Sequence, residues 1–457
     1  MIISQAHVSA LLILSLVSMS AAKDMPRFDV TQYGAKADGT TDCTPAIREA
    51  VEAATRAGGG VIRFPPAEAP YLISDSIELR ADNLHVRGEG ATVFLKDGSA
   101  VGRTSADKLL HIVRIYGTAD DPAQNVSVAG LTIDANYWGQ TNAEAAWQAS
   151  AKIAGTTRGV YVEHARNVLI DQVEIRRSFV GMTFGLGAHD CEARDVRVTE
   201  FHHDGFGVTP KRVDRGASGI TFLRCVAADA PHGKHGGHPG TRVKGWEIEE
   251  GAQDVKVIDC AVRDTGAHGF FVRPHWSRKH RFETKNIQLI RCRVENAGVY
   301  AFMVKGFNHQ QRVANVKLID CHTDTGNIQI MMGPENVLVS GGHYGSMTIG
   351  FYTHVADDHH VPDGPWAWTY GFLPVRSVFV ANAHVSGDLR INAVAGHDAA
   401  DDYISDIILH DITVGGDLYI VGTASLVREI DGTVQGARHV ISSEDYLEKF
   451  IRPARSN

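Results

Sequence analysis

Titratable side chains of different kinds stand at the start of a series of short apolar phrases in the middle of the chain. The phrases are VGMTF, DGFGV, KGWEI, HGFFV and YAFMV, and they begin at Val180, Asp204, Lys244, His268 and Tyr300. A carboxylate, an ammonium, an imidazole and a phenol are groups that enzymes use to move protons to and from a substrate. If the phrases lie side by side, these residues predict a catalytic patch.

Other charged residues share the outward side of the same phrases. Alternation along a strand predicts that Glu247, Glu249, Arg273 and Lys305 face outward, and His203 adjoins them. Since neighbouring parallel strands lie about 4.8 Å apart, the patch would be roughly 15–20 Å long, which is the length of several sugar residues. The alternative is a solvated face with charge pairs such as Glu249 with Arg273. The mixture of imidazole, phenol and both charge signs favours a site.

A second phrase recurs in the same region of the sequence. The strands that it forms must hold the residues of the patch in position. FLRCVAAD, VIDCAVRD, LIRCRVEN and LIDCHTDT place Cys225, Cys260, Cys292 and Cys321 in one slot, which Leu or Val takes in earlier phrases. A fixed apolar slot that returns about every 30 residues is typical of a solenoid, in which each coil stacks on its neighbour. Because Leu and Val are its alternates, we expect these cysteines to be buried free thiols rather than disulfides.

Each coil combines an apolar strand, a polar turn and a second strand that begins near a glycine. Residues of one parity in the second strands are expected to point inward and to stack from coil to coil. These inward columns are Met182, Phe206, Trp246, Phe270 and Phe302, together with Phe184, Val208, Ile248, Val272 and Val304. An aromatic column could also be a sugar-binding platform, but its apolar neighbours favour an interior stack.

A short amphipathic helix is predicted near the N-terminus, before the first coils. Thr44 is a suitable N-cap, Pro45 fits the first helical position, and the glycines from Gly58 to Gly60 end the helix. One apolar stripe runs along this segment. Such a helix could cover the otherwise open end of a solenoid core.

The segment DVTQYGAKADGTTDCTPAI, followed by three glycines and an apolar strand, resembles the N-terminal entry segment of the pectate lyase and polygalacturonase superfamily. Its members are right-handed parallel β-helix proteins that mostly act on polysaccharides. The resemblance implies an all-β fold, a single-stranded right-handed parallel β-helix (solenoid) with an N-terminal capping helix. The coil phrases extend it to roughly residue 430. The superfamily includes lyases, hydrolases, epimerases and phage tailspikes, so the reaction type has to come from the residues.

Two proton-transfer reactions could use the charged patch. β-Elimination of a uronic acid needs a cation that neutralises the carboxylate and a base that removes the C5 proton. The cation could come from Lys244, Arg273 or Lys305, and the base could be His203, His268 or Tyr300. A uronate C5-epimerase would use the same parts and return a proton to the other face. We expect a polysaccharide lyase, with His203 or His268 as the base and Tyr300 as the acid.

Hydrolysis is the alternative in the same fold. A glycoside hydrolase needs two carboxyl groups across the scissile bond, and Asp204, Glu247 and Glu249 are the candidates. The resemblance implies that a polygalacturonase would carry Asn-Thr-Asp, Asp-Asp, Gly-His-Gly and Arg-Ile-Lys strings, and of these Asn-Thr-Asp, Gly-His-Gly and Arg-Ile-Lys do not occur here. The cation-rich outward face therefore favours a lyase. A non-catalytic, glycan-binding solenoid of the tailspike kind is the third hypothesis.

Long loops beside the patch supply candidate substrate-binding residues. Basic groups could hold an acidic sugar, and indole rings could stack on pyranose faces. The candidates are Glu249 on the patch and His235, His275, Trp276 and Trp366 in the loops. The histidines around His235 are separated by glycines and lack a cysteine or carboxylate at ligand spacing, so we expect no metal and no cofactor. A pectate lyase resemblance implies a calcium-binding aspartate array, for which the chain has no clear motif.

Composition and the N-terminal segment bear on partners and location. Lys plus Arg number 45 against 53 Asp plus Glu, a formal charge of −8, which gives no reason to expect a nucleic-acid partner. Residues 8–22 are apolar and end in small residues, so residues 1–22 are interpreted as a signal peptide. We expect a secreted or periplasmic protein without a membrane span, acting on an anionic polysaccharide. Residues 23–440 would form the β-helix domain and residues 441–457 a C-terminal helical cap or tail.

Overall fold

The strands of the computed structural model form three parallel sheets that run the length of the molecule. The structure describes residues 25–101, 110–140, 157–210, 216–230, 243–265, 268–274, 282–297, 300–306, 311–324, 326–350, 375–392, 404–422 and 427–442. Within each sheet a strand pairs in parallel with strands from the neighbouring coils. This arrangement confirms the predicted right-handed parallel β-helix.

Each sheet takes short strands from successive coils. The first sheet consists of Arg27–Asp29, Gly60–Arg63, Leu84–Arg87, Ala123–Gln124, Ser127–Ala129, Ala165–Arg166, Leu169–Asp171, Ala188–Arg194, Ser218–Leu223, Gln253–Ile258, Phe282–Ile290, Gln311–Ile319, Glu335–Ser340, Val375–Ala381, Ile404–His410 and Val427–Ile430. The second consists of Tyr71–Ile73, Thr92–Leu95, Thr132–Asp134, Glu174–Arg176, Arg197–Thr199, Val226–Ala228, Ala261–Thr265, Arg293–Ala297, His322–Thr323, His343–Tyr344, His384–Val385, Thr413–Val414 and Thr433–Val434. The third consists of Ile77–Leu79, Leu110–Tyr116, Thr157–Glu163, Val180–Phe184, Asp204–Val208, Lys244–Ile248, His268–Val272, Tyr300–Lys305, Asn327–Met331, Ser346–Gly350, Leu389–Asn392, Leu418–Val421 and Arg438–Ile441.

Asparagines mark the corners where several coils enter the first sheet. Asn83, Asn125 and Asn167 have φ values of 57°, 57° and 53°, in the left-handed region that asparagine tolerates better than most residues. Their side chains also join the coils, since Asn125 Nδ2 donates a hydrogen bond to Asn83 Oδ1 at 3.2 Å. The polar turns of the sequence repeat therefore both bend the chain and link one coil to the next.

The N-terminal helix spans Thr44–Arg56, and its apolar residues join the core. The prediction of Thr44 as N-cap is wrong by one position, because Cys43 occupies the cap and Thr44 is the first helical residue. The Thr44 amide instead donates to the Asp42 carboxylate at 2.9 Å, while the Thr44 hydroxyl accepts from the Ser74 amide at 2.8 Å. The threonine therefore ties the helix to the first coil.

The inward columns predicted for the third sheet are buried and stacked. Phe206 lies on Trp246 with ring centroids 4.3 Å apart, Trp246 on Phe270 at 4.8 Å, and Phe270 on Phe302 at 5.4 Å. These rings are stacked on one another inside one apolar core that runs through the coils. The interpretation of this column as an interior stack is confirmed.

The slot cysteines are buried free thiols, as the sequence predicts. Cys292 Sγ lies 3.3 Å from the Val257 carbonyl oxygen, and Cys321 Sγ lies 3.3 Å from that of Leu289. Each thiol therefore contacts the backbone of the preceding coil and fills the space that Leu or Val fills elsewhere.

A reducing agent should leave the free energy of unfolding unchanged. A disulfide would contribute about 2–4 kcal/mol, and this contribution would be lost on reduction. Denaturant unfolding with and without dithiothreitol measures the difference, and thiol titration of the native and unfolded protein is the control. A loss of stability in reductant would contradict the assignment.

The segments expected at the two ends of the chain fall largely outside the described residues. The signal peptide over residues 1–22 and the helical cap or tail remain predictions, and Ile441 ends the last strand of the third sheet. Among the residues that the structure describes, no helix combines the length and apolar character needed to cross a bilayer.

Candidate active site

Register along the third sheet brings the residues predicted for the site together. Asp204 pairs with Lys244, Lys244 with His268, and His268 with Tyr300, each on the next strand. Glu247 lies on the strand of Lys244, in register with a glycine on one side. Side chains from four coils thus meet on one face of the solenoid.

Buried ion pairs join five residues, which we term the charged cluster: Asp204, Lys244, Glu247, Glu249 and Arg273. The Lys244 ammonium lies 2.9 Å from Glu247 Oε1 and 3.5 Å from Asp204 Oδ1. The Arg273 guanidinium lies 2.8 Å from Glu247 Oε1 and 3.3 Å from Glu249 Oε2. Lys244 is only 4% exposed and Glu247 only 3%. The charge pairing considered for a solvated face is therefore present, but it is buried, where electrostatic interactions are stronger.

Burial and neighbouring charges separate the two glutamates of the charged cluster in acidity. Burial opposes the ionisation of Glu247, but Lys244 and Arg273 outweigh it and hold the pKa of Glu247 well below its usual value. Burial, and then the charge of Glu247, raise the pKa of Glu249 well above its usual value. Burial opposes the charge of Lys244, yet Glu247 and Asp204 raise its pKa. Two neighbouring carboxyl groups with pKa values shifted in opposite directions are a division typical of acid–base sites.

Glu249→Gln should make the protein increasingly more stable than the parent as the pH rises. Because the pKa of Glu249 is raised in the folded state, the stability from its neutral form is complete below the unfolded pKa and is lost as the pH rises through the folded pKa. Glutamine stays neutral, so the variant gains roughly 1 kcal/mol per pH unit in that window. Denaturant unfolding over a pH series measures this gain.

Glu247→Gln is the matched control and should behave with the opposite sign. The depressed pKa of Glu247 gives stability that is present above the unfolded pKa and is lost as the pH falls through the folded pKa. The parent should therefore exceed this variant most at neutral pH. An advantage of Glu249→Gln that does not change with pH would contradict the neutral form of Glu249.

His203 and Asp204 form a second arrangement at the edge of the charged cluster. Asp204 Oδ2 lies 2.8 Å from His203 Nδ1, and its other oxygen faces Lys244. The His203 side chain is 26% exposed, in contrast to the buried carboxylate. When Nδ1 carries the hydrogen of this bond, Nε2 is left as a proton acceptor, which is the arrangement of a histidine oriented by a carboxylate for general base catalysis.

His268 and Tyr300 adjoin the charged cluster on the opposite side from His203. Their rings stack with centroids 5.4 Å apart, and the His268 ring lies 4.6 Å from that of Phe271. The Arg273 guanidinium lies 4.9 Å from the Phe271 ring centroid, within range of a cation–π contact. Lys305 is buried at the end of the strand that starts at Tyr300, one coil beyond Arg273. All eight predicted catalytic residues thus belong to one region.

The same face continues toward the N-terminus with residues that the sequence reasoning missed. Tyr161 is in register with Thr183 and stacks on His111 at 4.5 Å, while the Arg158 guanidinium lies 4.9 Å from the Tyr161 ring centroid. The signal available was the phrase RGVYVE, which has the same frame as VGMTF one coil later. A long stretch of sequence separates the strand Thr157–Glu163, which contains this phrase, from the preceding strand Thr132–Asp134. This insertion obscures the repeat.

Three residues of the site have the spacing of metal ligands. Donor atoms of His203, Asp204 and Glu247 all lie within 4.8 Å of one another. The Lys244 ammonium, however, contacts both of these carboxylates, so a divalent cation would compete with it for the same oxygens. With Lys244 in place, this group of residues does not fit a divalent cation.

The remaining predicted substrate-binding residues cannot be placed against this geometry. His235, His275, Trp276 and Trp366 lie outside the described residues. Glu249, the fifth predicted substrate-binding residue, belongs to the charged cluster. It is therefore a candidate both for a substrate contact and for a catalytic acid.

Solved structures of other proteins share this fold. The A-module of mannuronan C-5 epimerase AlgE6 from Azotobacter vinelandii aligns with a TM-score of 0.60 at 18% identity, over 90% of this chain and 99% of that chain. The tailspike protein of E. coli bacteriophage HK620 aligns with a TM-score of 0.59 at 10% identity, over 93% and 80%. At these identities the likeness shows the fold alone.

Sequence relatives overlap with part of the chain. Mannuronan C5-epimerase AlgE6 of Azotobacter vinelandii is 30% identical over 189 residues, which are 39% of this chain and 19% of that protein. Alginate lyase 7 of the same bacterium is 31% identical over 158 residues, 33% of this chain and 17% of that protein. The chain thus spans about a fifth of the length of these curated relatives.

A family model described as rhamnogalacturonase A/epimerase, pectate lyase-like, matches residues 27–311. The matched region includes the N-terminal helix, the coils that build the third sheet up to Lys305, and every residue of the charged cluster. The chain therefore belongs to the rhamnogalacturonase A/epimerase, pectate lyase-like family.

Proposed function

We propose that the protein cleaves a uronic-acid-containing polysaccharide by β-elimination, with His203 as the base. The observation that carries the proposal is the hydrogen bond between His203 and Asp204 at the edge of the charged cluster. The pectate lyase-like family, and relatives named as mannuronan C5-epimerase and alginate lyase, support an acidic polysaccharide as the substrate. Base and charge stabilisation, the two requirements of C5 proton abstraction, then lie on one face.

In the proposed step, His203 Nε2 takes the C5 proton, and the electron pair of the C–H bond forms the double bond between C4 and C5. The bond between C4 and the bridging oxygen breaks, and this oxygen takes a proton from solvent. His203 releases the C5 proton to solvent before the next turnover. Negative charge builds up on the substrate carboxylate, where Arg273 and Lys305 supply positive charge.

His203 is a better candidate for the base than His268. A base must reach the substrate, and the His203 side chain is partly exposed while His268 is buried against Phe271 and Tyr300. Asp204 also orients His203 through a 2.8 Å hydrogen bond. Tyr300, stacked on His268, lies three strand spacings, ~14 Å, from the His203 coil, so it is too distant to protonate the oxygen on C4 of the same sugar.

The charge distribution disfavours hydrolysis. A hydrolase needs one carboxylate that attacks or activates water and one carboxylic acid. Glu247 is ionised, but two cations hold it at 2.9 Å and 2.8 Å and lower its basicity. A carboxylate so strongly paired is a poor nucleophile or base. Asp204, the other candidate, is likewise held by His203 at 2.8 Å and by Lys244 at 3.5 Å, so Glu249 has no unpaired carboxylate as its partner in hydrolysis.

C5 epimerisation is the second candidate, supported by the relatives that carry this activity in their names. It begins with the same proton abstraction by His203 and ends when a proton returns to C5 from the opposite face. Elimination and epimerisation thus differ only in whether the C4–O bond breaks before the proton returns.

Digestion of matched panels of polymannuronate, polyguluronate, polygalacturonate and polyglucuronate in D₂O tests the proposal. Elimination yields ultraviolet absorbance from the conjugated uronate together with new chain ends. Epimerisation yields deuterium at C5 without chain cleavage, and hydrolysis yields new reducing ends without absorbance. Chain ends without absorbance would overturn the elimination assignment, and glycan binding without any of these products would favour the non-catalytic solenoid.

A further inference from the structure

Trp138 is an exposed indole ring close to the candidate base. It lies in the short 3₁₀ helix Tyr137–Gly139, in the turn that follows the strand Thr132–Asp134. Its exposed fraction is 44%, and Phe379, at 38%, is the other exposed phenylalanine or tryptophan in the described part of the chain. Single exposed apolar residues are normal on protein surfaces, so the surroundings of Trp138 have to decide whether it has a role.

The turn that carries Trp138 is held rigidly by polar contacts. Asn136 has a φ of 45°, and its side-chain amide donates to the Leu95 carbonyl oxygen at 2.9 Å and to Asp97 Oδ1 at 2.7 Å. Gln140 Oε1 accepts from the Ala100 amide at 2.8 Å. A non-glycine residue in the left-handed region costs free energy and persists where its surroundings fix it. Trp138 is thus held at the surface by its neighbours.

Ring contacts connect this turn with the site. The His202 ring lies 4.0 Å from that of Tyr137 and 4.5 Å from that of Trp138. Phe179 lies between Tyr137, at 6.1 Å, and His203, at 5.3 Å. Tyr137, Phe179 and His203 precede the third sheet in successive coils, so Trp138 lies about two strand spacings, ~10 Å, from the base along the solenoid axis.

We propose that Trp138 is a stacking platform for one sugar ring of the polysaccharide, one or two sugars away from the ring that reacts. This inference rests on the proposed function and adds a binding subsite to it. The apolar C–H face of a pyranose can pack on an indole ring, which combines a large apolar surface with a polar edge. A ring held in place loses little conformational freedom on binding, so more of the contact free energy appears as affinity.

The subsite also determines how the bound polysaccharide is oriented relative to the solenoid axis. Trp138 lies on the N-terminal side of His203, and Lys244, Arg273 and Lys305 lie on its C-terminal side. The polymer therefore runs along the axis of the solenoid, across the strands of the third sheet. Its carboxylates meet the cations in the later coils, while an uncharged ring face meets the indole in the earlier one.

Trp138→Ala in the full-length protein tests the inference, with Phe379→Ala as the matched control. Phe379 is a similarly exposed ring on the strand Val375–Ala381 of the first sheet. We expect Trp138→Ala to raise KM for the polymer about tenfold, the size of one stacking contact, with kcat within twofold. Phe379→Ala should leave both constants unchanged, and circular dichroism should show both variants folded.

Direct binding separates this inference from the proposed reaction. Calorimetry with oligomannuronate and oligogalacturonate of equal length is done in a His203→Ala background, with and without Trp138→Ala. A tenfold weaker Kd on removing Trp138 supports the subsite even if the protein neither eliminates nor epimerises. Equal Kd and KM values with and without the indole, or no binding of either oligosaccharide, would overturn it.

Discussion

His203→Ala should lower kcat by about 10²- to 10⁴-fold, with little change in KM or in the free energy of unfolding. The imidazole is partly exposed and forms a hydrogen bond with Asp204. Asp204 keeps the Lys244 ammonium at 3.5 Å when the ring is removed, so the charged cluster retains its charge balance. Steady-state kinetics on the substrate identified by the polysaccharide panel, together with denaturant unfolding, measure both quantities.

His189→Ala and Asp204→Asn complete this experiment. His189 is a partly buried imidazole on the first sheet that shares a hydrogen bond with Ser218 at 2.8 Å, so its loss should leave kcat unchanged. Asp204→Asn keeps the size of the side chain but removes the charge that orients His203, and we expect a reduced kcat with an altered pH profile. If His268→Ala abolishes turnover while His203→Ala does not, the base has been assigned to the wrong histidine.

Trp246→Ala should lower the free energy of unfolding by about 3–5 kcal/mol. The indole is 0% exposed and lies between the rings of Phe206 and Phe270, at 4.3 Å and 4.8 Å. Its removal opens a cavity in the middle of the stack. Side chains from the two neighbouring coils cannot fill this cavity completely. Denaturant unfolding followed by circular dichroism measures the loss.

Trp246→Phe should cost much less than Trp246→Ala, and it distinguishes packing from hydrogen bonding. The indole Nε1 is buried without a hydrogen-bond partner among the described residues, so the parent bears the cost of an unsatisfied donor. Phenylalanine retains the stacking and removes that donor. Trp138→Ala, an indole change at the surface, should shift the free energy of unfolding by under about 1 kcal/mol. A cost for Trp246→Ala as small as that would show that the column is not part of the stable core.

Much of the fold followed from repetition in the sequence. Strands that recur with one apolar frame have to stack in register, so Asp204, Lys244, His268 and Tyr300 could be placed side by side before the structure was known. The cysteine slot was equally informative, because a position shared with Leu and Val has to be small and apolar.

What the sequence could not provide is the environment of the outward side chains. Alternation tells which side of a strand a residue occupies, but it does not tell what else lies on that side. Lys244 and Glu247 were therefore placed correctly but without their burial, and the division of pKa values between Glu247 and Glu249 depends on that burial. Trp138 was missed because it lies in a turn, where no periodic pattern identifies it.

The cross-coil origin of the site has a consequence for synthesis of the protein. Each strand of the third sheet that contributes to the charged cluster comes from a different coil, and Tyr300 and Lys305 come from a later coil still. A nascent chain that has emerged only as far as Glu249 lacks the guanidinium of Arg273, the phenol of Tyr300 and the ammonium of Lys305. On the proposed function, activity should therefore appear abruptly during translation, once the coil ending at Lys305 has docked.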